Sequence, residues 1–161
     1  MEEKKKIQRK KILFVCTGNT CRSPMAEAVL RKELRRRKIS GFTVASAGLR
    51  AEKGSILSPN SAQSLAEANF AVNKTFKPRQ LTEKMVKEAH IVIGMTQSHE
   101  RALAKFENVT SFASLGGREI PDPYGQGIDV YRVTLRRIRE NMPLVIEKFC
   151  AQENENSEET R

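Results

Sequence analysis

Residues 12–24 read ILFVCTGNTCRSP, and the order of residue types in that stretch decides the fold. The run ILFV at 12–15 is continuously apolar, the pattern of a strand buried on both faces. Cys16, Thr17, Gly18, Asn19, Thr20, Cys21, Arg22 and Ser23 follow as a loop of mostly small, turn-tolerant residues. Beyond it, Pro24 to Lys38 has helical spacing, with Ser23 placed to act as N-cap. Pro24 would be the first helical residue, where proline's missing N–H is not needed. In a strand, loop and helix so connected, successive loop N–H groups converge on an anion and the helix dipole reinforces them. The loop therefore reads as a phosphate cradle.

The pattern repeats outward from this unit. Phe42 to Ala45 is a short apolar strand ending at Ser46-Ala47-Gly48, and Ala89 to Met95 is an apolar run typical of a buried strand. Val109 to Phe112 reads as a last short strand. Helical spacing covers Asn60 to Asn69, Thr82 to Glu88 and Ser98 to Phe106, and a long amphipathic helix runs from about Ile128 to Cys150 with Pro143 as its discordant residue. Strands alternating with helices predict an α/β fold. It is a three-layer sandwich: a central, mainly parallel four-stranded sheet flanked by helices on both faces. Ligands in such sheets bind beyond the carboxyl ends of the strands, which is where the first loop falls.

With 161 residues, one domain is expected over 11–151, preceded by a flexible basic N-terminus over 1–10 and followed by a flexible polar tail over 152–161. No apolar run approaches the roughly 20 residues that span a bilayer. The short apolar stretch near the N-terminus leads into a polar loop rather than a cleavage site, so a cytoplasmic protein without membrane partners is expected. Three cysteines without an export signal argue against a disulfide scaffold. The net charge is +10, with basic clusters at Lys4 to Lys11, Arg31 to Lys38 and Arg136 to Arg139. Two of these clusters lie in helical patterns, and the chain has no Trp and few other aromatics to stack on bases. Specific nucleic-acid binding is therefore not expected, whereas acidic protein surfaces suit the charge. His90 and His99 belong to no set with metal-ligand spacing, and both read as helix or strand-edge residues. No metal or other cofactor is expected.

A cysteine at the end of a buried strand is ordinarily a core residue. Here the strand before it, the helix after it and the polar loop between change the reading. Cys16 would sit beneath a bound phosphorus as the nucleophile, among N–H groups that favour an anionic sulfur. Arg22, at the other end of the cradle, presents a planar fork suited to two phosphoryl oxygens. Gly18 and Asn19 tolerate the left-handed backbone angles that a tight cradle requires. Besides capping the helix, the Ser23 hydroxyl can reach Cys16 and assist a leaving thiol.

The segment VCTGNTCRSPMAEA, together with Asp122-Pro123-Tyr124-Gly125 late in the chain, resembles the low-molecular-weight protein tyrosine phosphatase family. In order and spacing the resemblance extends from about Lys11 to Phe149. It implies two steps: Cys16 attacks phosphorus to form a phosphocysteine, and water then hydrolyses it. Asp122 would protonate the leaving group and later activate the water. The resemblance also implies that Ser46 bonds the loop asparagine, here Asn19. Where many relatives have a loop-supporting histidine, this chain has Phe76. Phosphorylated proteins are the implied partners, and a monomer is expected.

Thr20 bears on the substrate. Tyrosine phosphatases of the family commonly carry an aliphatic residue there, whereas the protein arginine phosphatase branch, to which DPYGQGIDVY also looks closer, carries threonine. A hydroxyl beside phosphorus can bond an attacking water or a guanidinium nitrogen, while isoleucine would only pack against an aromatic leaving group. The rim after Gly48 is Leu49, Arg50, Ala51 and Glu52 without an aromatic wall, so ring stacking would rest on Tyr124. Phosphoarginine is the favoured substrate and phosphotyrosine the alternative. Arsenate reductase, a distant alternative, needs a downstream cysteine pair that is missing between Cys21 and Cys150. A phosphate-binding pseudo-enzyme would not need the full set of Cys16, Arg22 and Asp122. Cys16 and Cys21, five positions apart in a curling loop, form a candidate redox pair, although Cys21 could equally pack beneath the loop.

Overall fold

The structure, a computed structural model, describes residues 8–150. Of the terminal segments expected to be flexible, 1–7 and 152–161 lie outside the described residues, as does residue 151 of the expected domain. Lys10, expected to belong to the flexible basic N-terminus, instead opens the first strand, β1 (Lys10–Cys16). Its N–H bonds the Gly41 carbonyl at 2.9 Å.

In chain order the elements are β1, α1 (Arg22–Arg36), β2 (Phe42–Gly48), α2 (Pro59–Glu67), α3 (Glu83–Glu88), β3 (Ile91–Gly94), α4 (Gln97–Ala102), β4 (Val109–Ser111) and α5 (Ile128–Val145). The strands order as β2-β1-β3-β4, and all three pairings are parallel. The chain runs from β1 to one neighbour and returns to the other side for β3. The crevice that opens at such a reversal lies at the end of β1, directly at Cys16.

Alternation along β1 sends side chains to two cores. Ile12 and Phe14 join Met25, Val29 and Leu30 of α1 and Leu135, Ile138 and Met142 of α5 on one face. Leu13 and Val15 join Val86 of α3, Val92 and Leu103 on the other. The sandwich predicted from the alternating pattern is therefore the one observed. Full burial of a side chain such as Phe14 contributes about 2–3 kcal/mol, so this double-sided strand anchors the loop that follows it.

Boundaries differ from expectation where tertiary partners intervene. β2 runs on to Gly48 because it pairs with β1 through Cys16. α4 ends at Ala102 instead of Phe106. The last helix continues through Pro143, then loosens into a π-helical turn at Ile146–Cys150, whose terminal Cys150 is fully buried. α1 begins at Arg22 with Cys21 as N-cap, so Ser23 is not the cap and Pro24 is not the first helical residue. The first helical bond runs from the Met25 N–H to the Cys21 carbonyl at 3.3 Å, and the Ser23 hydroxyl is engaged with Cys16 and Asn19 instead of capping. Among the described residues, no helix is long and apolar enough to cross a membrane.

Candidate active site

At the carboxyl end of β1 the chain leaves the sheet at Cys16 and curls through the loop to α1. Asn19 adopts φ 57°, the left-handed conformation that asparagine tolerates better than most residues, whereas Gly18 does not use its freedom. The curl brings the Asn19 N–H to 3.3 Å from the Cys16 Sγ. Among the described residues, the N–H groups of Gly18, Thr20, Cys21 and Arg22 donate to no protein group, and all four residues line one cleft of about 760 Å³. Unpartnered donors gathered at a helix N-terminus are what an anion cradle requires.

The Asn19 side chain locks the loop. Its amide donates to the Ser23 Oγ at 2.8 Å and the Ser46 Oγ at 3.0 Å, while its Oδ1 accepts the Arg79 N–H at 2.9 Å. Ser46 thus bonds Asn19 as the resemblance implied. The outside support falls to the Arg79 backbone, and Phe76 has no part in it. Arg79 also donates from its guanidinium to the Ser46 carbonyl at 3.3 Å. Glu27 sits behind Ser46, and burial raises its carboxyl pKa against the opposing charges of Arg31 and Arg79. The Ser23 Oγ lies 2.9 Å from the Cys16 Sγ, the reach anticipated from spacing.

Opposite the cradle stands the long loop before α5. Arg22 is 4% exposed and donates to the Ile120 carbonyl at 3.0 Å, which aims its other nitrogen at the Asp122 carboxylate 3.6 Å away. The Asp122 side chain is 52% exposed and accepts the Tyr124 N–H at 3.1 Å, an Asx-type turn that holds it on the cleft wall. Cys16, Arg22 and Asp122, predicted from two separate stretches, line the same cleft.

Thr17, Thr20, Cys21 and Tyr124 also line it. Thr20 is half-buried, its carbonyl accepting the Ser58 N–H at 2.9 Å. Cys21 is buried, with its sulfur 3.3 Å from the Tyr131 hydroxyl. Burial and that contact push the Tyr131 pKa up to about 12. Leu49, expected on the specificity rim, does not line the cleft. It packs against the second core beside Leu13 and Val15, because the strand alternation carries it to that face. Arg50, Glu52 and the exposed Ile56 form that wall instead.

The sequence reading missed His99. Buried in α4, it places Nε2 at 3.1 Å from the Thr17 Oγ1. Burial, and next the Arg22 charge, pull its pKa down to about 4. Its one local signal was Thr96, three residues earlier, which marks a capping box.

A thiol at the floor of a ring of free N–H donors, on a parallel sheet, is the framework of a cysteine-based phosphatase. Residues 11–155 match the family described as low molecular weight phosphotyrosine protein phosphatase. The chain is 34% identical over 137 residues to the protein-arginine-phosphatase of Bacillus subtilis, covering 80% of this chain and 89% of that one. It is 33% identical over 138 residues to the low molecular weight protein-tyrosine-phosphatase PtpB of Staphylococcus haemolyticus, covering 80% and 91%. A solved YwlE arginine phosphatase mutant, with a phosphorylated active-site serine, superposes with a TM-score of 0.79 at 31% identity, covering 86% of this chain and 97% of that one. The chain belongs to the low molecular weight protein phosphatase family, and its enzyme class is that of the cysteine-dependent protein phosphatases.

Proposed function

We propose that the enzyme removes phosphate from phosphoarginine in proteins, with Cys16 as nucleophile, Arg22 as phosphate clamp and Asp122 as general acid and base. The observation that carries this reading is the presence of Thr20 in the lining of the cleft together with Cys16 and Asp122. A hydroxyl there offers hydrogen bonds to a guanidinium nitrogen or to water, and the Asp122 carboxyl, protonated as the first step requires, can hydrogen-bond the guanidine nitrogen that leaves. The likeness to the Bacillus subtilis protein-arginine-phosphatase supports the same substrate.

In the first step the Cys16 sulfur attacks phosphorus and the P–N bond breaks, its electron pair leaving with the guanidine nitrogen. Asp122 gives that nitrogen a proton. The transferring phosphoryl group lies in the loop N–H groups and the Arg22 fork, donors already in place before charge develops. In the second step water attacks the phosphocysteine and Asp122 takes its proton. The S–P bond breaks, and the departing sulfur is met by the Ser23 hydroxyl and the Asn19 N–H, already 2.9 Å and 3.3 Å away. Exposed Ile56 and Tyr124 at the rim offer apolar contact to the substrate side chain.

The phosphotyrosine reading draws on Tyr124, which is 77% exposed and can stack on a ring, and on the likeness to PtpB. Phosphate release from both substrates by wild type, Thr20→Ile and a Cys16→Ser control separates the two. A preference for phosphoarginine that Thr20→Ile shifts to phosphotyrosine upholds the proposal. A preference for phosphotyrosine that the substitution leaves unchanged overturns it. The proposed chemistry needs Cys16 reduced, so the cytoplasm is the proposed compartment and phosphorylated proteins the proposed partners.

A further inference from the structure

His99 occupies a position that a surface helix would not ordinarily give a histidine. It is 5% exposed. Gly94, at the end of β3, leaves the space, since a Cβ there would lie 2.9 Å from the His99 Cβ. Both ring nitrogens are engaged. The Thr96 N–H donates to Nδ1 at 3.2 Å, and the Thr96 hydroxyl lies 3.1 Å from the same nitrogen. A backbone N–H can only donate, so Nδ1 carries a lone pair and the ring proton of the neutral imidazole sits on Nε2. That proton faces the Thr17 Oγ1 at 3.1 Å.

Thr17 directly follows the nucleophile. Its carbonyl accepts the Arg50 N–H at 2.8 Å, and the preceding carbonyl of Cys16 accepts the Leu49 N–H at 3.0 Å. The backbone after Cys16 is thereby tied to the β2 side of the sheet, and the Thr17 side chain to the β3–α4 side.

We propose that His99 is a positioning residue of the phosphate cradle: held as its Nε2–H tautomer by Thr96, it donates to Thr17 and fixes the first turn of the loop on which Cys16 sits. Protonation at Nδ1 would set an N–H against the Thr96 N–H and break the capping box, so acid disengages the loop through this ring. The charged groups that face the imidazole are Arg22 from α1, which opposes the second proton, and Asp122 and Glu119 from the loop before α5, which favour it. On its own helix, Glu100 is turned to the Ser111 and Ser114 hydroxyls. A phosphate dianion beside Arg22 would offset that cation, so ligand binding should make His99 easier to protonate.

This inference rests on the reading of the cleft as a phosphate site, and two amides separate the roles of the ring. Asn at 99 places a carbonyl near Nδ1 and can accept from Thr96 but does not reach Thr17. Gln extends to the Nε2 position and can still donate to Thr17. The experiment measures kcat and KM for a generic aryl phosphate between pH 5 and 8 with wild type, His99→Asn and His99→Gln. Nitrogen-15 spectra of the histidine rings in wild type, taken from about pH 3.5 to 8 so as to span the His99 titration, accompany it with and without inorganic phosphate. The chain has two histidines, and exposed His90 serves as the internal reference.

The expected result is an Nε2–H tautomer for His99 whose titration moves to higher pH with phosphate. Alongside it, kcat/KM should fall about tenfold for His99→Asn, with His99→Gln retaining most of the activity. An Nδ1–H tautomer, full activity in His99→Asn, or equal losses in both variants would overturn the proposal. A wild type that turns over no phosphorylated substrate would instead sink the reading of the site itself. The wild-type spectra decide the tautomer even if a variant fails to fold.

Discussion

The Ser23 hydroxyl oxygen lies 2.9 Å from the Cys16 sulfur and also accepts the Asn19 amide at 2.8 Å. Because the Asn19 amide donates to Ser23, the serine's own hydrogen is left to the sulfur at 2.9 Å or to the more distant Ala47 carbonyl at 3.5 Å. In the proposed mechanism Ser23 is thereby a donor to the sulfur that leaves in the second step.

Ser23→Ala should slow hydrolysis of the phosphocysteine more than its formation, lowering kcat by about a hundredfold. Rapid-quench kinetics would show a burst of leaving group followed by slow turnover. The opposite signature is expected of Asp122→Asn, where phosphoenzyme formation slows most for substrates with poor leaving groups. Equal loss for all leaving groups would assign Asp122 a structural role.

Gly48 closes β2 against the back of the cradle. A Cβ there would lie 2.7 Å from the Thr17 carbonyl oxygen and 2.9 Å from the Asn19 nitrogen, both backbone atoms that cannot step aside cheaply. Gly48→Ala should therefore cost about 1–3 kcal/mol of stability, by denaturant midpoint, and weaken binding of inorganic phosphate. An unchanged midpoint and phosphate affinity would mean that the loop is softer than its hydrogen bonds imply.

Stability should depend on pH through His99. The ring titrates near 4 in the folded chain, against an ordinary value of 6.5. Between these values the unfolded chain binds a proton that the folded one refuses. The stabilisation is therefore complete above about pH 6.5 and lost progressively as pH falls from there to about 4, a change on the order of 3 kcal/mol. Replacing His99 with Gln should flatten this part of the pH–stability curve. A slope identical to wild type would show that another group carries it.

Cys16 and Cys21 are proposed as a redox pair. Peroxide treatment followed by mass mapping of the thiols should find a Cys16–Cys21 link, with activity restored by a dithiol. Persistent sulfinic acid on Cys16 with no link would instead leave Cys21 as a packing residue held by Tyr131.

Much of this site was legible locally. An apolar run, a turn-rich loop and a helical pattern lie within one short stretch, and each follows from short-range physics: hydrophobic period, backbone tolerance and capping. The start of α1 was misplaced because the Ser23 hydroxyl, free to cap in a peptide, is claimed here by Cys16 and Asn19. Leu49 was misassigned for a related reason. Its neighbours in sequence line the cleft, but strand alternation sends its own side chain into the core.

The sequence by itself determined the α/β class and the turn-rich loop after β1, and it put forward Cys16, Arg22 and Asp122, which the fold brings to one cleft. Tertiary structure alone decided what surrounds them: Arg79 meets Asn19 across 60 positions, His99 meets Thr17 across 82, and Tyr131 meets Cys21 across 110. The loop's residue types follow from what the backbone must do within a few bonds. Its supporting partners are chosen by which strands lie side by side, and parallel crossovers bring together residues whose separation along the chain carries no trace of their contact.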